Sequence, residues 1–257
     1  FSKFDNNTSS KFFNQVEDKM AYLPDYSRLD GIILISSATT PNKFEEYVKQ
    51  NIENCSCPVV TIRKEEKGRY NVSVNHDIIL EEIIRHFIEY HGYQKINFLA
   101  GPKDSSVSNR RVDNFLRVME EHGLEVKDEQ IYYGDFLRSK AYNAAMEWMP
   151  NPEKRPEAII CANDYMAITL CWALSKMGFE VPKDVAVSGC DNIGQSQDFI
   201  PSITTVGQPL FEMGLEAVKK IHRHLNNIQQ EMVTYLPGKT YIRESCGCNV
   251  KVKKANL

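Results

Sequence analysis

Residues 157–168 read EAIICANDYMAI, and this stretch decides the fold class. A short apolar run at Glu157–Cys161 leads through Asn163 and Asp164 into apolar residues at helical spacing. A strand that is apolar at nearly every position is typical of a parallel sheet covered on both faces, because alternation is expected only where one face meets water. The stretch therefore predicts a buried strand, a polar loop and a helix, in that order.

The same order recurs along the chain. Further strands are predicted at Gly31–Ile35, Pro58–Ile62, Lys95–Ala100 and Val185–Ser188. Apolar stripes with helical spacing lie between and after them, near residues 44–52, 79–88, 112–119, 166–177 and 210–225. This alternation predicts an α/β fold, with parallel sheets and helices on both faces.

Composition narrows the class of protein. The chain has 257 residues, of which 42% are hydrophobic and 25% charged, as is ordinary for a soluble globular protein. No apolar run approaches the ~20 residues that span a bilayer, and the polar start has no signal-peptide pattern. A net charge of −3 gives this chain no electrostatic reason to bind nucleic acid. We expect a cytoplasmic protein that does not contact a membrane.

The seven cysteines are an odd number, which fits reduced thiols in a cytoplasm better than a disulfide framework. Three of them fall in segments predicted to be core, namely Cys161, Cys171 and Cys190. Two CxC pairs stand out, at Cys55/Cys57 and Cys246/Cys248. Four thiolates can hold zinc, but structural zinc sites usually leave about two to four residues within a cysteine pair. We therefore interpret these pairs as buried or edge thiols and expect no metal.

Motifs for nucleotide chemistry and hydrolysis are absent from the sequence. No GxGxxG follows a strand and no GxxxxGK[ST] occurs, so dinucleotides and nucleoside triphosphates lack their phosphate-binding loop. Neither a GxSxG turn nor an HExxH helix is present. We expect a protein that is not an enzyme and needs no cofactor.

Polar loops after the predicted strands are the candidate site, because ligands of parallel α/β sheets bind at the carboxyl ends of strands. The loop after Ala100 leads to Arg110 and Arg111 in the first turn of a helix, where a cation opposes the helix dipole. A guanidinium there suggests a role in binding vicinal hydroxyls or a carboxylate. An ordinary surface salt bridge is the alternative.

Asn163 and Asp191 leave similar choices open. Asn163 follows a buried strand, and it either caps the next helix or presents a donor and an acceptor to a hydroxyl group. Asp191 ends a strand and serves either a turn or a ligand, since a carboxylate accepts hydrogen bonds from two sugar hydroxyls at once. Each of these motifs is weakly informative alone.

Taken together and in order, the motifs carry a resemblance. The runs FLAGP…SxxR, CANDYMAI, VPKDVAVSGCDN, PSITTVGQP and MGLEAV resemble the effector-binding core of the LacI/GalR repressor family, which shares its fold with periplasmic sugar-binding proteins. The resemblance covers roughly residues 30–248. It implies that Arg111, Asn163 and Asp191 contact the effector and that Gln208 faces the ligand-binding cleft.

Two departures from the family pattern matter. After PVVTI the family usually has an acidic residue that faces the cleft, whereas this chain has Arg63 and Lys64. Arg63 thus joins the candidate ligand-binding residues and favours an acidic ligand over a neutral sugar. Compared with the family pattern, we expect this chain to lack the DNA-reading helix-turn-helix and the first strand and helix of the N-terminal lobe. Contact with DNA would therefore need a domain absent from this chain.

The resemblance also implies an organisation in lobes. The stretches Tyr22–Gly31 and Arg243–Cys248, the latter reading RESCGC, resemble a subgroup in which the sensor is fused to a GGDEF, histidine kinase or AraC-type output domain. The implied parts are an incomplete N-terminal lobe of residues 1–73 and 206–235, a C-terminal lobe of residues 74–205 and 236–248, and a linker of residues 249–257.

The function that the resemblance implies is sensing. A homodimeric, two-lobed protein would close on a small polar molecule, sugar-like or acidic, in the cleft between its lobes and switch an attached output domain. Two alternatives stay open: a solute-binding protein of a transporter, and a dimerisation module whose cleft is vestigial. An α/β enzyme would need a nucleophile–base pair or a metal, and the sequence shows no such constellation.

Overall fold

The computed structural model describes residues 25–35, 48, 50–53, 55–63 and 65–248. The chain divides into two compact units. Unit 1 comprises Phe1–Val74 and Pro209–Leu236, and unit 2 comprises Asn75–Gln208 and Pro237–Leu257. That these units act as the lobes of a ligand-closed sensor stays a prediction.

Strands and helices alternate along the described residues. The strands are β1 (Ile32–Ile35), β2 (Val59–Ile62), β3 (Tyr70–Val74), β4 (Ile96–Ala100), β5 (Ile131–Tyr133), β6 (Ala158–Cys161), β7 (Ala186–Ser188), β8 (Thr205–Gly207), β9 (Val233–Leu236) and β10 (Lys239–Tyr241). The α-helices are α1 (Glu81–Arg85), α2 (Ser106–Glu121), α3 (Arg138–Trp148), α4 (Asp164–Lys176), α5 (Gly194–Asp198) and α6 (Leu210–Leu225). A π-helix continues α1 over His86–Tyr90, and 3-10 helices lie at Tyr26–Arg28, Asp128–Gln130 and Glu244–Cys246. Of the helices in this part of the chain, none has both the length and the apolar character needed to cross a bilayer.

Unit 1 contains a parallel sheet in the order β1-β2-β3-β9. The predicted strands Gly31–Ile35 and Pro58–Ile62 are confirmed as β1 and β2, which pair along their whole length. The predicted helix near residues 44–52 is described only at positions 48 and 50–53, which are helical. Residues 1–24 lie outside the described residues. The prediction that the first strand and helix are missing concerns this part of the chain and stays a prediction.

Unit 2 contains a second parallel sheet, in the order β5-β4-β6-β7. The three strands predicted in this part of the chain are confirmed as β4, β6 and β7, and all of their residues are buried. Burial on both faces explains why their sequences are apolar without alternation. Two isolated parallel bridges, Ser188 to Thr204 and Asp191 to Gly207, join the end of β7 to the β8 segment, and β8 pairs with β10 in antiparallel fashion.

The core of unit 2 fixes where α2 lies. Phe115 of α2 and Phe98 of β4 are fully buried and stacked, with ring centroids 5.1 Å apart. Ser105 caps the helix, since its hydroxyl accepts a hydrogen bond from the Ser108 N–H at 3.4 Å. The helix therefore begins directly after the loop that follows β4, and this places Arg111 beside the carboxyl end of the sheet.

Replacing Phe115 by Ala should lower the free energy of unfolding by about 3–5 kcal/mol, because removal of a large buried ring leaves a cavity. Leu116, the next residue on the helix, is 37% exposed, and Leu116→Ala should cost less than about 1 kcal/mol. Urea unfolding of both variants measures the difference. Equal losses would contradict the position of Phe115 in the core.

Candidate functional site

Four of the predicted ligand-binding residues belong to unit 2 and follow the carboxyl ends of its strands. Arg111 lies on α2 after β4, Asn163 follows β6, Asp191 follows β7 and Gln208 follows β8. The carboxyl ends of neighbouring parallel strands meet at one edge of a sheet. The structure brings Arg111, Asp191 and Gln208 together there, and we call these three residues the polar cluster.

Arg111 is buried within the polar cluster, with a side chain that is only 4% exposed. Its Nη1 donates a hydrogen bond to the carbonyl oxygen of Ala162, and its Nη2 lies 3.8 Å from Asp191 Oδ1. Its Nε–H has no hydrogen-bond partner among the described residues. A buried donor without an acceptor is costly, and a bound molecule or water is a usual explanation for one.

Asp191 is fixed by hydrogen bonds to both its side chain and its backbone. Gln208 Nε2 donates to Asp191 Oδ1 at 2.9 Å, and the Asp191 N–H donates to the carbonyl oxygen of Val206 at 2.7 Å. Asp191 and Asn192 have φ values of 112° and 50°, in a region that residues other than glycine rarely adopt. Gln208 Oε1 is buried and, within the described part of the chain, unpartnered. A strained backbone beside an unsatisfied amide is typical of a binding site.

Asn163 performs the capping role that the sequence left open. Its Oδ1 accepts the Met166 N–H at 2.8 Å at the start of α4, and its Nδ2 donates to the Phe136 carbonyl oxygen at 3.3 Å. Both polar atoms of the amide are thus engaged with the protein. A contact between Asn163 and a ligand stays a prediction.

Arg110 and Arg111 are adjacent, and the sequence left open for both a surface salt bridge or a role in ligand binding. Arg110 donates from Nε and Nη2 to the two carboxylate oxygens of Asp77, at 2.7 and 2.8 Å. This bidentate hydrogen bonding lowers the pKa of Asp77. The side chain of Arg110 is 28% exposed, against 4% for that of Arg111. Arg110 therefore forms the surface salt bridge, and Arg111 alone belongs to the polar cluster.

Arg63, the fifth predicted residue, belongs to unit 1 and directly follows β2. It has a φ of 75°, and its N–H donates to the carbonyl oxygen of Val72 at 3.0 Å. Lys64, the other basic residue of that segment, lies outside the described residues. Because Arg63 and the polar cluster belong to different units, its contribution to ligand binding stays a prediction.

Sequence reasoning missed the turn between β5 and α3. Asp135 and Phe136 are consecutive left-handed residues, with φ values of 54° and 58°. A Cβ at Gly101 would overlap the Phe136 ring, so the glycine after β4 leaves room for that ring. The Phe136 carbonyl also accepts from Asn163. The one signal in the sequence is the dipeptide Gly134-Asp135, which indicates a turn but no binding site.

Asp164 supports the loop that carries Asp191. It is fully buried, and it accepts hydrogen bonds from Thr205 Oγ1 at 2.5 Å and from the Ile193 N–H at 2.8 Å. Its own N–H donates to the carbonyl oxygen of Cys190 at 2.8 Å. Burial raises the pKa of this carboxyl to about 6, against the lowering effect of its hydrogen bonds. Asp164 thus stabilises the loop by hydrogen bonds to Cys190 and Ile193, one on each side of Asp191.

The raised pKa of Asp164 predicts a loss of stability between acidic and neutral pH. The folded-state pKa of about 6 lies above the ordinary aspartate pKa of 3.8, so the folded state binds more protons than the unfolded state between these two pH values. The contribution of Asp164 to the free energy of unfolding therefore falls as the pH rises through this range, by up to about 3 kcal/mol. Asp164→Asn, which does not titrate, should remove this part of the pH dependence.

Urea unfolding at about pH 4.5 and about pH 7.5 measures the effect as the difference between parent and variant. Asp113→Asn on the exposed face of α2 is the matched control, and it should keep the pH dependence of the parent. A pH dependence of the Asp164→Asn variant equal to that of the parent would contradict the interpretation.

Comparison with known proteins places these residues in a family. A family model described as a periplasmic binding protein-like domain matches residues 84–246. The HTH-type transcriptional repressor PurR of Proteus mirabilis is 28% identical over 230 residues, which are 86% of this chain and 64% of the repressor. The PurR of Actinobacillus pleuropneumoniae is 30% identical over 217 residues, 82% of this chain and 60% of that repressor. The chain thus spans less than two thirds of the length of these relatives.

Solved structures agree on the fold. A regulatory protein of the LacI family from Chloroflexus aggregans is 23% identical, with a TM-score of 0.75 over 96% of this chain and 84% of that protein. The transcription regulator CcpA of Lactococcus lactis is 19% identical, with a TM-score of 0.76 over 92% of this chain and 85% of that protein. The predicted α/β class is confirmed, and the relatives bear the names of repressors and regulators, not of enzymes. The chain belongs to the periplasmic binding protein-like domain family.

Proposed function

We propose that this chain is the effector-sensing part of a bacterial regulator and that a small polar molecule binds at the polar cluster. The observation that carries the proposal is the incomplete hydrogen bonding of Arg111, whose Nε–H is buried without an acceptor and whose Nη2 is 3.8 Å from Asp191. A ligand oxygen that accepts from Nε would satisfy a buried charge that the described residues leave partly unsatisfied. This hydrogen bond would add to the free energy of ligand binding.

The chemistry of the polar cluster favours a ligand with both donors and acceptors. Arg111 supplies N–H donors in a planar fork, whereas Asp191 and the Gln208 Oε1 supply acceptors. Adjacent hydroxyl groups of a sugar meet both requirements, since each hydroxyl donates and accepts. A sugar acid would add a carboxylate for Arg111. The relative CelR is described in complex with cellobiose, which supports the sugar-like class.

We propose that ligand binding switches the protein between two conformations. A ligand shifts a conformational equilibrium only by the difference between its affinities for the two states. We propose that the bound state changes the geometry of a homodimer in the cytoplasm and thereby an attached output domain. DNA would be contacted only through a domain outside this chain, or not at all if the output is of the GGDEF or histidine kinase type that the RESCGC segment at Arg243–Cys248 resembles.

A thermal-shift screen of the chain against sugars, sugar acids, nucleosides and polyamines tests the proposal. A ligand at about 100 times its dissociation constant should add roughly 2.7 kcal/mol to the free energy of unfolding. That gain should raise the Tm by several degrees, at roughly 2–4 °C per kcal/mol for a chain of this size. No shift from any class by the folded protein would overturn effector sensing and favour the dimerisation module.

Arg111→Ala should weaken binding of the ligand so identified by about 10–150-fold, the value of a buried charge-assisted hydrogen bond of roughly 1.5–3 kcal/mol. Arg110→Ala is the matched control, because it removes the same charge from the adjacent residue and leaves the polar cluster intact. It should change affinity less than about twofold. Titration calorimetry gives both values, and equal losses would contradict the assignment of Arg111.

Asp191→Asn separates the two ligand classes. With a neutral sugar, the variant replaces a charged acceptor by a neutral amide, and affinity should fall by about 10-fold or more. With an acidic ligand, the same change removes a repulsive charge, and affinity should stay level or rise. Titration calorimetry of parent and variant distinguishes these outcomes, with unchanged Tm of the ligand-free proteins as the check on folding.

A further inference from the structure

Four metal-binding side chains converge in unit 2, away from the polar cluster. His86, His91, Cys246 and Cys248 each offer one ligand atom, and these atoms all lie within 4.8 Å of one another. Cys248 Sγ is 3.2 Å from His86 Nε2 and 3.3 Å from His91 Nε2. The sequence-based expectation of no metal considered the two CxC pairs alone. The structure instead places one of those pairs against two imidazoles.

The π-helix brings the two histidines to one side. Residues five apart in an α-helix, at about 100° per residue, point roughly 140° apart. Here the His91 N–H donates to the His86 carbonyl oxygen at 3.3 Å, the i to i+5 hydrogen bond of a π-helix. The wider turn sets the two rings with centroids 4.8 Å apart at 89° to each other. Single π turns are frequent at functional sites.

Gly247 brings the two cysteines to the same point. It has a φ of 100° and ends the short 3-10 helix Glu244–Cys246 in the left-handed conformation that glycine adopts without strain. Two other contacts fix this helix, because the Ser245 hydroxyl donates to the Val187 carbonyl oxygen at 2.6 Å and accepts from the Thr204 N–H at 2.8 Å. Cys246 is fully buried. The thiols therefore sit on an anchored turn.

We propose that His86, His91, Cys246 and Cys248 bind one zinc ion, as a structural site closed by four protein ligands. Two sulfurs and two imidazole nitrogens are a common tetrahedral zinc ligand set, and their bond lengths of about 2.0–2.3 Å place ligand atoms roughly 3.3–3.8 Å apart. The two measured sulfur–nitrogen distances are close to that range and need only small side-chain movements. The CxC spacing differs from the usual zinc pair, and Gly247 supplies the sharp turn that this spacing needs.

The zinc ion would link two distant parts of the chain. The histidines follow α1, whereas Cys248, at the end of the described chain, lies 162 residues from His86 and 157 from His91. A metal that joins residues far apart in the chain stabilises the folded state, because its ligands come together only when the chain is folded. The zinc proposal uses none of the residues of the polar cluster, so its test does not depend on the proposed function.

The experiment uses the whole chain, purified under reducing conditions, with metal content measured by mass spectrometry and with Co²⁺ as an optical probe after removal of zinc by a chelator. We expect one zinc per chain. Bound Co²⁺ should show the intense visible bands of a tetrahedral site and a thiolate charge-transfer band in the near ultraviolet. Less than about one tenth of an equivalent of either metal would overturn the proposal.

Cys248→Ser and His91→Asn should each lower Zn²⁺ affinity by about 100-fold or more, since each removes one of the four ligands. The Cys55→Ser/Cys57→Ser double variant is the matched control. The two thiols that it removes form the other CxC pair, 2.7 Å apart, and the described residues place no histidine cluster around them. That control should keep one zinc and an unchanged Co²⁺ spectrum.

Three outcomes would contradict the zinc site. The first is full metal binding by Cys248→Ser with the thiolate band retained. The second is loss of zinc in the Cys55/Cys57 control. The third is a Cys246–Cys248 disulfide in the protein purified under reducing conditions, detected as two missing free thiols. Circular dichroism of each metal-free variant, compared with the metal-free parent, separates loss of a ligand from loss of the fold.

Discussion

The buried carboxylate of Asp164 is the constraint on which the polar cluster depends. It joins the start of α4 to Thr205 of β8 and to the Ile193 N–H, while its own N–H is bound to Cys190. A Cβ at Gly189 would overlap this carboxylate, so a glycine is needed where β7 ends. Hydrogen bonds from Thr205 and the Ile193 N–H offset the cost of burying the charge, and they fix a loop in a conformation that the chain would otherwise avoid.

Much of the fold could be predicted from the sequence, because buried parallel strands are apolar throughout. β4, β6 and β7 follow from their composition alone. The helix α3 was missed because its buried face consists of Ala141, Ala144 and Ala145 before Trp148, which form no large apolar stripe. The strand β3 was missed because Asn71 and Ser73 interrupt its apolar residues. The Asn71 side chain is buried, and it accepts from Thr61 and the Glu66 N–H while donating to two carbonyl groups.

The candidate site was predictable only in part. The resemblance pointed to Arg111 and Asp191, and helical spacing agrees, since Arg111 stands four residues before Phe115 on the buried face of α2 whereas Arg110 does not. The difference is burial, which depends on how α2 packs. The histidine–cysteine cluster was missed for another reason. A π turn and a left-handed glycine place its members together, and neither feature has a reliable signature in a single sequence.

The completion of the sheet of unit 1 has a consequence for the order in which the protein can fold during synthesis. β3 pairs with β9, from Asn71 with Val233 to Val74 with Leu236. All strands of the other parallel sheet lie between these two in the chain. On a ribosome, β4 to β7 can therefore assemble while the edge of β3 is still without its neighbour. Until β9 is synthesised, that edge presents unpaired backbone N–H and C=O groups, with which a strand of another chain can pair. The yield of correctly folded protein is thus expected to depend on the time between the synthesis of β3 and that of β9.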